Sequence, residues 1–337
     1  MGTNNGVAIW LPEAERWRVV RKRDGLAGYA VWKFAPGPDG RVWSISRRTG
    51  LNRFDPDTLE PEAVPLPPEC GTSPQDLVAG PDGTLWLGSK DALVAIRERD
   101  GALEFDPVTV PEELRGATVS VSVTGDGAVW VAGVGGLGRY LAGRWRAFGE
   151  RDGLLSERLL DVAGVSADEA LVVYEAARGV ARLTTDDGAT RVEHVTREDG
   201  LPGNAVWLIA RDHAGRTWIG GSDGLGLIDA AGGIRTYDQG DGLIWNDIGQ
   251  DALWVEKDGS AFIGTSRGLA YFDPARGRRE ERPPNVALTS AALGGVERLH
   301  DEDPRVDYDA GTFTARFAGL TFRKPRQVVF EIGRAHV

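Results

Sequence analysis

The chain has 337 residues, of which 39 are Lys or Arg and 50 are Asp or Glu, and its formal net charge is −11 at pH 7. This acidic balance argues against a nucleic-acid partner, because phosphate binding needs clustered Lys and Arg. One Cys and four His build neither an intrachain disulfide nor a zinc cage. Glycine is abundant, at 46 residues, and no apolar stretch approaches the ~20 residues of a membrane helix.

A repeat of about 44 residues runs along the first four fifths of the chain. Its marker is a tryptophan in a short apolar run, at Trp43, Trp86, Trp130 and Trp218. We expect Val172 to take this position in a degenerate unit, and Phe262 to take it in the last unit. Asp-Gly pairs stand just before the marker, and Gly-Leu pairs follow it. The tripeptide Asp-Gly-Leu closes several units, at residues 24–26, 152–154, 199–201 and 241–243.

Each unit reads as four short strands. In 205–237, four runs rich in β-branched and aromatic residues are separated by Gly- and Asp-containing turns, which is the pattern of consecutive hairpins. A four-stranded unit that repeats in this way is typical of a β-propeller blade. The sequence therefore predicts an all-β fold, with a seven-bladed β-propeller over 1–276 and the tryptophans packed between blades.

The two ends of the chain depart from the repeat. Residues 2–6 align with 264–268, which follow the marker position, so the first blade is expected to be truncated and the chain to be a fragment. We expect a linker over 277–284. Over 285–331 apolar and polar residues alternate without blade turns, which indicates an incomplete small β-sandwich. The last residues, 332–337, abandon the pattern and read as translated sequencing adapter.

The unit VWLIARDHAGRTWIGGSDGLGLID, at 206–229, resembles the two-component regulator propeller repeat. The segment 283–325 resembles the first part of the three-tyrosine domain that follows such propellers. The resemblance implies the periplasmic sensor region of an inner-membrane signalling protein, with a histidine kinase or diguanylate cyclase as output. It also implies a homodimer in the full-length protein, and membrane contact only through segments outside these residues.

Candidate ligand-binding residues come from loops that should share one face of the propeller. In an up-and-down blade, the interblade loops and the turns between second and third strands open on the same side, and such loops carry binding residues. Aromatic, amide and charged side chains there suit a sugar or a similar polar ligand. The candidates are Tyr29, Trp32, Arg48, Lys90, Asp91, Asn204, Trp207, Asp223, Trp245, Asn246 and Arg267.

Other interpretations stay open at this stage. Trp32 and Trp207 occupy equivalent positions, where they either pack between strands or line a ligand funnel. The propeller could serve protein interaction without a small ligand. A streptogramin-lyase-like enzyme would need histidine and glutamate over the funnel with a metal, whereas His194 and His213 are expected on an outer strand and at the opposite face. We therefore predict no catalytic residue, metal site or cofactor in this chain.

Overall fold

The computed structural model describes residues 1–46, 49–71, 73–90, 92–114, 118–275, 285–297 and 311–320. The chain divides into two compact units, Met1–Asp273 and Pro274–Val337. The helical segments in the described ranges are three-residue 3₁₀ turns. These turns are Pro12–Ala14, Lys22–Asp24, Pro68–Cys70, Glu112–Leu114, Glu150–Asp152, Arg197–Asp199 and Gln239–Asp241.

The described residues of the first unit form seven antiparallel sheets, numbered 1 to 7 along the chain; sheets 2 to 6 have four strands, and sheets 1 and 7 have three. Sheet 1 comprises β1 (Gly2–Thr3), β2 (Gly6–Leu11) and β3 (Arg16–Val20), and sheet 2 comprises β4 (Val31–Pro36), β5 (Val42–Ser46), β6 (Gly50–Phe54) and β7 (Pro61–Val64). Sheet 3 comprises β8 (Pro74–Ala79), β9 (Leu85–Ser89), β10 (Leu93–Arg99) and β11 (Ala102–Val108). Sheet 4 comprises β12 (Thr118–Val123), β13 (Val129–Gly133), β14 (Gly136–Leu141) and β15 (Arg144–Phe148).

Sheets 5 to 7 continue the same up-and-down order. Sheet 5 comprises β16 (Leu159–Ser166), β17 (Glu169–Tyr174), β18 (Val180–Asp186) and β19 (Ala189–Val195). Sheet 6 comprises β20 (Val206–Arg211), β21 (Thr217–Gly221), β22 (Gly224–Ile228) and β23 (Ile234–Tyr237). Sheet 7 comprises β24 (Ile248–Val255), β25 (Ala261–Thr265) and β26 (Gly268–Phe272). The prediction of an all-β chain built from four-stranded antiparallel units is confirmed.

Sheets 2 to 7 surround a common axis. The first strands β4, β8, β12, β16, β20 and β24 contact one another in that order. Across the axis, Lys33 Nζ on β4 lies 2.8 Å from Asp251 Oδ1 on β24, so the seventh sheet returns to the second. The innermost strand of each of these sheets therefore lines the centre of a propeller.

The second unit contains a three-stranded sheet in its described part. Its strands are β27 (Asn285–Leu293), β28 (Val296–Glu297) and β29 (Phe313–Leu320), in the order β28–β27–β29. The predicted linker 277–284, parts of the predicted sandwich (298–310 and 321–331) and the predicted adapter segment 332–337 lie outside the described residues. Assignment of this unit to a three-tyrosine sandwich stays a prediction.

The tryptophan row packs between sheets, as predicted for four of its members. Trp43, Trp130 and Trp218 are fully buried and Trp86 is 8% exposed. Each lies in a cluster with residues of the following sheet. The next sheet approaches so closely that a Cβ on Gly164 would come within 2.7 Å of Trp130 Cδ1. Phe262, at the same position in sheet 7, is 38% exposed instead.

The prediction that Val172 takes the marker position in sheet 5 is wrong by one residue. In the other four-stranded sheets the marker tryptophan pairs with the residue four positions after the first residue of the first strand. In sheet 5 the residue four positions after Leu159 is Ala163, and it pairs with Leu171. Leu171 packs toward sheet 6, whereas Val172 packs toward sheet 4. Successive side chains on a strand point to opposite faces, so an error of one residue reverses the assignment.

The repeated Asp-Gly-Leu tripeptide builds a tight turn rather than a ligand site. The aspartate accepts a hydrogen bond from the amide three residues earlier, as Asp199 Oδ2 does from Thr196 N at 2.9 Å. The following glycine, Gly200, has φ +109°, which side-chain-bearing residues rarely adopt. The same hydrogen bond and a similar φ recur in the turns that contain Asp24, Asp152 and Asp241.

Gly200→Ala is therefore expected to destabilise the protein by roughly 1 kcal/mol or more, because of its backbone conformation. Crowding is not the cause, since the atom nearest to an added Cβ, Ile234 Cβ, would lie 3.7 Å away. Gly125→Ala is the matched control, because Gly125 has an ordinary φ and no atom near its Cβ position. This variant should be neutral or slightly stabilising, since alanine restricts the unfolded chain. Urea unfolding of the three proteins measures the difference, and equal midpoints for the two variants would contradict the assignment.

Candidate functional site

The interblade loops and the turns between second and third strands meet at one end of the propeller. In sheet 2, a Cβ on Gly28 would lie 2.1 Å from Thr49 Oγ1, and in sheet 6 one on Gly203 would lie 2.3 Å from Asp223 Oδ2. In sheet 7 the residue at this position is Trp245, and the guanidinium of Arg267 lies 3.7 Å from its ring centroid. We call this end of the propeller the mouth.

The structure thus brings Trp245 and Arg267 together, two of the predicted ligand-binding residues. Asn204 and Asn246 occupy equivalent loop positions, and each uses its side-chain oxygen within its own loop. Asn204 Oδ1 accepts from Arg197 N, and Asn246 Oδ1 accepts from Gln239 N, both at 2.8 Å. These two amides therefore shape the loops that surround the mouth.

The remaining candidates are dispersed around the mouth. Tyr29 is 62% exposed, and its ring centroid lies 5.0 Å from Lys22 Nζ. Trp207 is half-buried and donates from Nε1 to the carbonyl oxygen of Ile248 on sheet 7 at 2.5 Å, which supports a packing role. Trp32 is half-buried, and Lys90 and Asp223 are exposed. Arg48 and Asp91 lie outside the described residues.

A cluster of charged side chains lies on the axis, one layer below the mouth, and the sequence analysis did not predict it. Lys33, Asp76, Ser120 and Asp161 each stand two residues after the start of the innermost strand of their sheet. At ~3.3 Å per residue, this places them about 7 Å from the mouth end of the strand. Asp251 on β24 joins them. We call these five residues the axial cluster.

Lys33 is the centre of the axial cluster. Its Nζ lies 2.8 Å from Asp251 Oδ1 and 3.2 Å from Asp76 Oδ1. Asp161 Oδ1 accepts from Ser120 Oγ at 2.6 Å. The side chains of Lys33 and Asp251 are 24% and 16% exposed, while Asp76 and Asp161 are almost inaccessible to water.

Asp251 reaches the axis because β24 is irregular where the other first strands carry a single bulge. Ile248 pairs with Thr265 and Leu253 pairs with Ile263, so β24 has three more residues in this interval than β25. Asp251 itself has φ +56°, a left-handed conformation that aspartate tolerates better than most residues. The extra residues bring the Asp251 carboxylate to the axis, within reach of Lys33.

The electrostatics of the cluster favour a bound proton. Burial raises the pKa of Asp161 to about 7, and the nearby charge of Asp251 adds to the shift while Lys33 opposes it. Burial also raises the pKa of Asp76, again against the charge of Lys33. Burial by itself lowers the pKa of Lys33, but the charges of Asp76, Asp251 and Asp161 together raise it well above its ordinary value. Lys33 therefore stays charged.

One signal in the sequence could have revealed the cluster. Lys33, Asp76, Ser120 and Asp161 follow one another at 43, 44 and 41 residues, close to the repeat length. Lys33, Asp76 and Asp161 are charged residues within predicted innermost strands, and charged residues are rarely buried unless they are paired. Asp251 gives no such signal, because the insertion in β24 shifts it out of register with the repeat.

The histidines of the propeller lie away from the mouth and the axis. His213 is in the turn between β20 and β21, at the opposite end. His194 is half-buried on the outermost strand of sheet 5, the kind of strand on which it was expected, and its Nε2 lies 3.3 Å from the carbonyl oxygen of Gly153. Within the described ranges, no group of three or more His, Cys, Asp or Glu side chains has a geometry that could hold a metal ion.

Known proteins share part of this sequence and its fold. Residues 200–223, which form the turn and the first two strands of sheet 6, match the family model described as two component regulator propeller. No curated protein matches the sequence.

Several solved structures have a similar fold. The extracellular domain of a hybrid two-component system from B. thetaiotaomicron is 16% identical with a TM-score of 0.70, and the match covers 90% of this chain and 41% of that one. An inactive virginiamycin B lyase from Staphylococcus aureus is 14% identical with a TM-score of 0.56, covering 77% and 85%. YCF48 from Cyanidioschyzon merolae is 16% identical with a TM-score of 0.56, covering 81% and 90%.

At such identities the similarity concerns the fold. The first unit has a propeller fold, and one of its repeats, at 200–223, matches the two component regulator propeller. The chain spans less than half of the length of the extracellular domain that it matches. A lyase shares this architecture, so the fold by itself does not decide between binding and catalysis.

Proposed function

We propose that this chain is the periplasmic sensing region of a membrane-bound two-component signalling protein, whose propeller mouth binds an extracellular ligand. The observation that carries the proposal is the match of residues 200–223 to the two-component regulator propeller. The similarity to an extracellular domain of such a system supports it. The output, a histidine kinase or a diguanylate cyclase acting as a homodimer, would belong to parts of the protein outside these residues.

The location of the chain follows from the same proposal. Among the described residues there is no helix with the length and apolar character needed to cross a bilayer. A periplasmic position would place the mouth on the route of ligands that enter from outside the cell.

The chemistry of the mouth supports a short oligosaccharide as the ligand. Trp245 carries the guanidinium of Arg267 over its ring, and Asn246, the next residue, fixes the loop by accepting a hydrogen bond from Gln239 N. An aromatic surface with a few fixed polar groups is the usual composition of a site for a small polar molecule. Tyr29, in the corresponding interblade loop of sheet 2, offers a second exposed aromatic ring.

Calorimetric titration of the 337-residue chain with a panel of neutral and acidic oligosaccharides tests the proposal. We expect at least one member to bind, and Trp245→Ala to weaken that binding about tenfold or more, because aromatic contacts dominate such sites. Arg267→Ala should weaken it as well. His213→Ala, at the opposite end of the propeller, is the control and should leave the affinity unchanged.

Absence of binding across the whole panel would contradict the oligosaccharide proposal. Equal binding by the wild type and both mouth variants would show that the ligand binds elsewhere. Thermal unfolding of each variant must accompany the titration, because a loss of binding counts only where the variant remains folded.

A protein-interaction role is the second candidate, and exposed aromatic residues on sheet 1 favour it. Trp10 and Trp17 are 45% and 50% exposed, and their ring centroids lie 5.4 Å apart on the paired strands β2 and β3. Aromatic residues are enriched at protein interfaces. Sedimentation analysis of the wild type and a Trp10→Ser, Trp17→Ser double variant distinguishes this role, since only an interface there would make association depend on these residues.

A further inference from the structure

The axial cluster contains a repeated hydrogen bond between neighbouring sheets. Asp76 Oδ2 accepts from the amide of Val121 at 2.7 Å, and Ser120 Oγ accepts from the amide of Val162 at 3.3 Å. Asp161 Oδ2 accepts from the amide of Ile209 at 2.9 Å. In each case the donor is the amide just after the axial position of the following sheet. Sheets 3 to 6 are thereby joined at the axis.

The series stops at both ends. Leu208 holds the axial position of sheet 6 and has no side-chain acceptor for an amide of sheet 7. Lys33 holds the axial position in sheet 2, and its ammonium group cannot accept a hydrogen bond from an amide of sheet 3. The amide of Leu77 on sheet 3 donates instead to Asp76 Oδ1, at 2.7 Å. The ion pairs of Lys33 with Asp76 and Asp251 take the place of these missing bonds.

The charges in this cluster do not balance. Two carboxylates pair with one ammonium group and a third, that of Asp161, acts on it through its charge, so two negative charges remain when all four groups are ionised. Asp76 and Asp161 are 1% and 5% exposed, and water there provides little screening of the repulsion. Because a serine hydroxyl can both donate and accept, a protonated Asp161 can donate to Ser120 Oγ across the same 2.6 Å contact without moving.

We propose that the axial cluster is a proton-sensitive lock, in which uptake of a proton at Asp161 tightens the attachment of sheet 7 to sheets 2 and 3 through Lys33. When the proton is released, three ionised carboxylates compete for one lysine, and sheet 7 loosens because the axial hydrogen bonds that join sheets 3 to 6 do not extend to it. The lock is independent of the identity of any ligand bound at the mouth.

The groups around Asp161 set the direction of the response. Lys33 from β4 and Asp251 from β24 face it across the axis, Asp76 from β8 shares Lys33, and β12 and β20 contribute the Ser120 hydroxyl and the Ile209 amide. Its folded-state pKa of about 7 lies above the ~3.9 of an unfolded aspartate. The folded protein therefore holds a proton that the unfolded chain has released, and stability falls as the pH rises through this interval.

Urea unfolding of the whole chain between about pH 5 and pH 8, followed by tryptophan fluorescence, tests the lock. The wild-type midpoint should fall on the order of 1 M across this range. Asp161→Asn should largely remove this dependence, because the amide imitates the protonated acid. Asp187→Asn, in the exposed turn between β18 and β19, is the matched control and should keep it.

Hydrogen exchange gives a local readout that a change of global stability would not produce. After correction for the intrinsic rate, raising the pH from about 6 to about 8 should accelerate exchange more for the amides of β24 to β26 than for those of β12 to β15. If Asp161→Asn fails to fold, Asp251→Asn serves instead, and it should shift the transition to lower pH. The proposal is overturned if the wild-type midpoint does not fall with pH, or if Asp161→Asn retains the full dependence.

Discussion

Lys33→Met is expected to lower the free energy of unfolding by about 3–5 kcal/mol at about pH 8. The substitution removes the only cation of the axial cluster and leaves Asp76, Asp161 and Asp251 facing one another. Two of these carboxylates are almost inaccessible to water, and removing one partner of a buried ion pair leaves its charge uncompensated. Methionine keeps the length and most of the volume of the lysine stem, so the loss reports on charge.

The same substitution should be less harmful at about pH 5. Without Lys33 the carboxylates bind protons more readily, so the repulsion is relieved as the pH falls. Lys257→Met is the control, because Lys257 is exposed in the turn between β24 and β25 and should change the stability by no more than about 0.5 kcal/mol. A loss that is equal at both pH values would show that lysine contributes packing rather than charge.

A protein of this kind has a total stability of roughly 5–15 kcal/mol, so Lys33→Met by itself could prevent folding. The double variant Lys33→Met, Asp251→Asn is then the informative one. It removes one cation and one anion together, and we expect it to recover part of the stability that Lys33→Met loses. Urea unfolding of the two single variants and the double variant yields the coupling between the groups.

Trp218→Ala is expected to destabilise the propeller by about 3–5 kcal/mol. Trp218 is fully buried between sheets 6 and 7, packs edge-on against Phe272 at 5.4 Å between ring centroids, and donates from Nε1 to Asp212 Oδ2 at 3.0 Å. The substitution opens a cavity and also leaves a buried carboxylate oxygen without this donor.

Trp254→Ala is the matched control for Trp218, since Trp254 lies on the neighbouring sheet and is 52% exposed. Its loss should change the free energy of unfolding by about 0.5 kcal/mol. Chemical unfolding monitored by circular dichroism compares the two without relying on tryptophan emission. Similar losses for both variants would mean that burial between sheets does not determine the contribution of the tryptophan row.

The repeat could be predicted in detail because its determinants are local. The four strands of 205–237 are observed as β20 to β23, since alternating apolar residues and glycine turns encode hairpins within a few residues of each other. The sequence also places the interblade loops beside the turns that contain Asp223 and Arg267, because strand order by itself decides which loops share an end.

Two errors show where local reasoning ends. Leu171, not Val172, occupies the marker position of sheet 5, because the pairing of β16 with β17 decides which residue takes it, and the local sequence of β17 does not distinguish the two neighbours. Phe262 is partly exposed although its strand repeats the same pattern, because burial at this position depends on a neighbouring sheet rather than on the strand itself.

The amino-acid sequence by itself determined the number of strands in a unit, the turns between them and the tryptophans that pack from one sheet to the next, since all of these depend on residues close together in the chain. Only the tertiary structure decided that Lys33, Asp76, Asp161 and Asp251 meet. These residues are separated by 43, 85 and 90 positions, and they come together only because successive sheets turn about one axis. The charge and proton affinity of the centre are therefore properties of the ring and not of any single repeat.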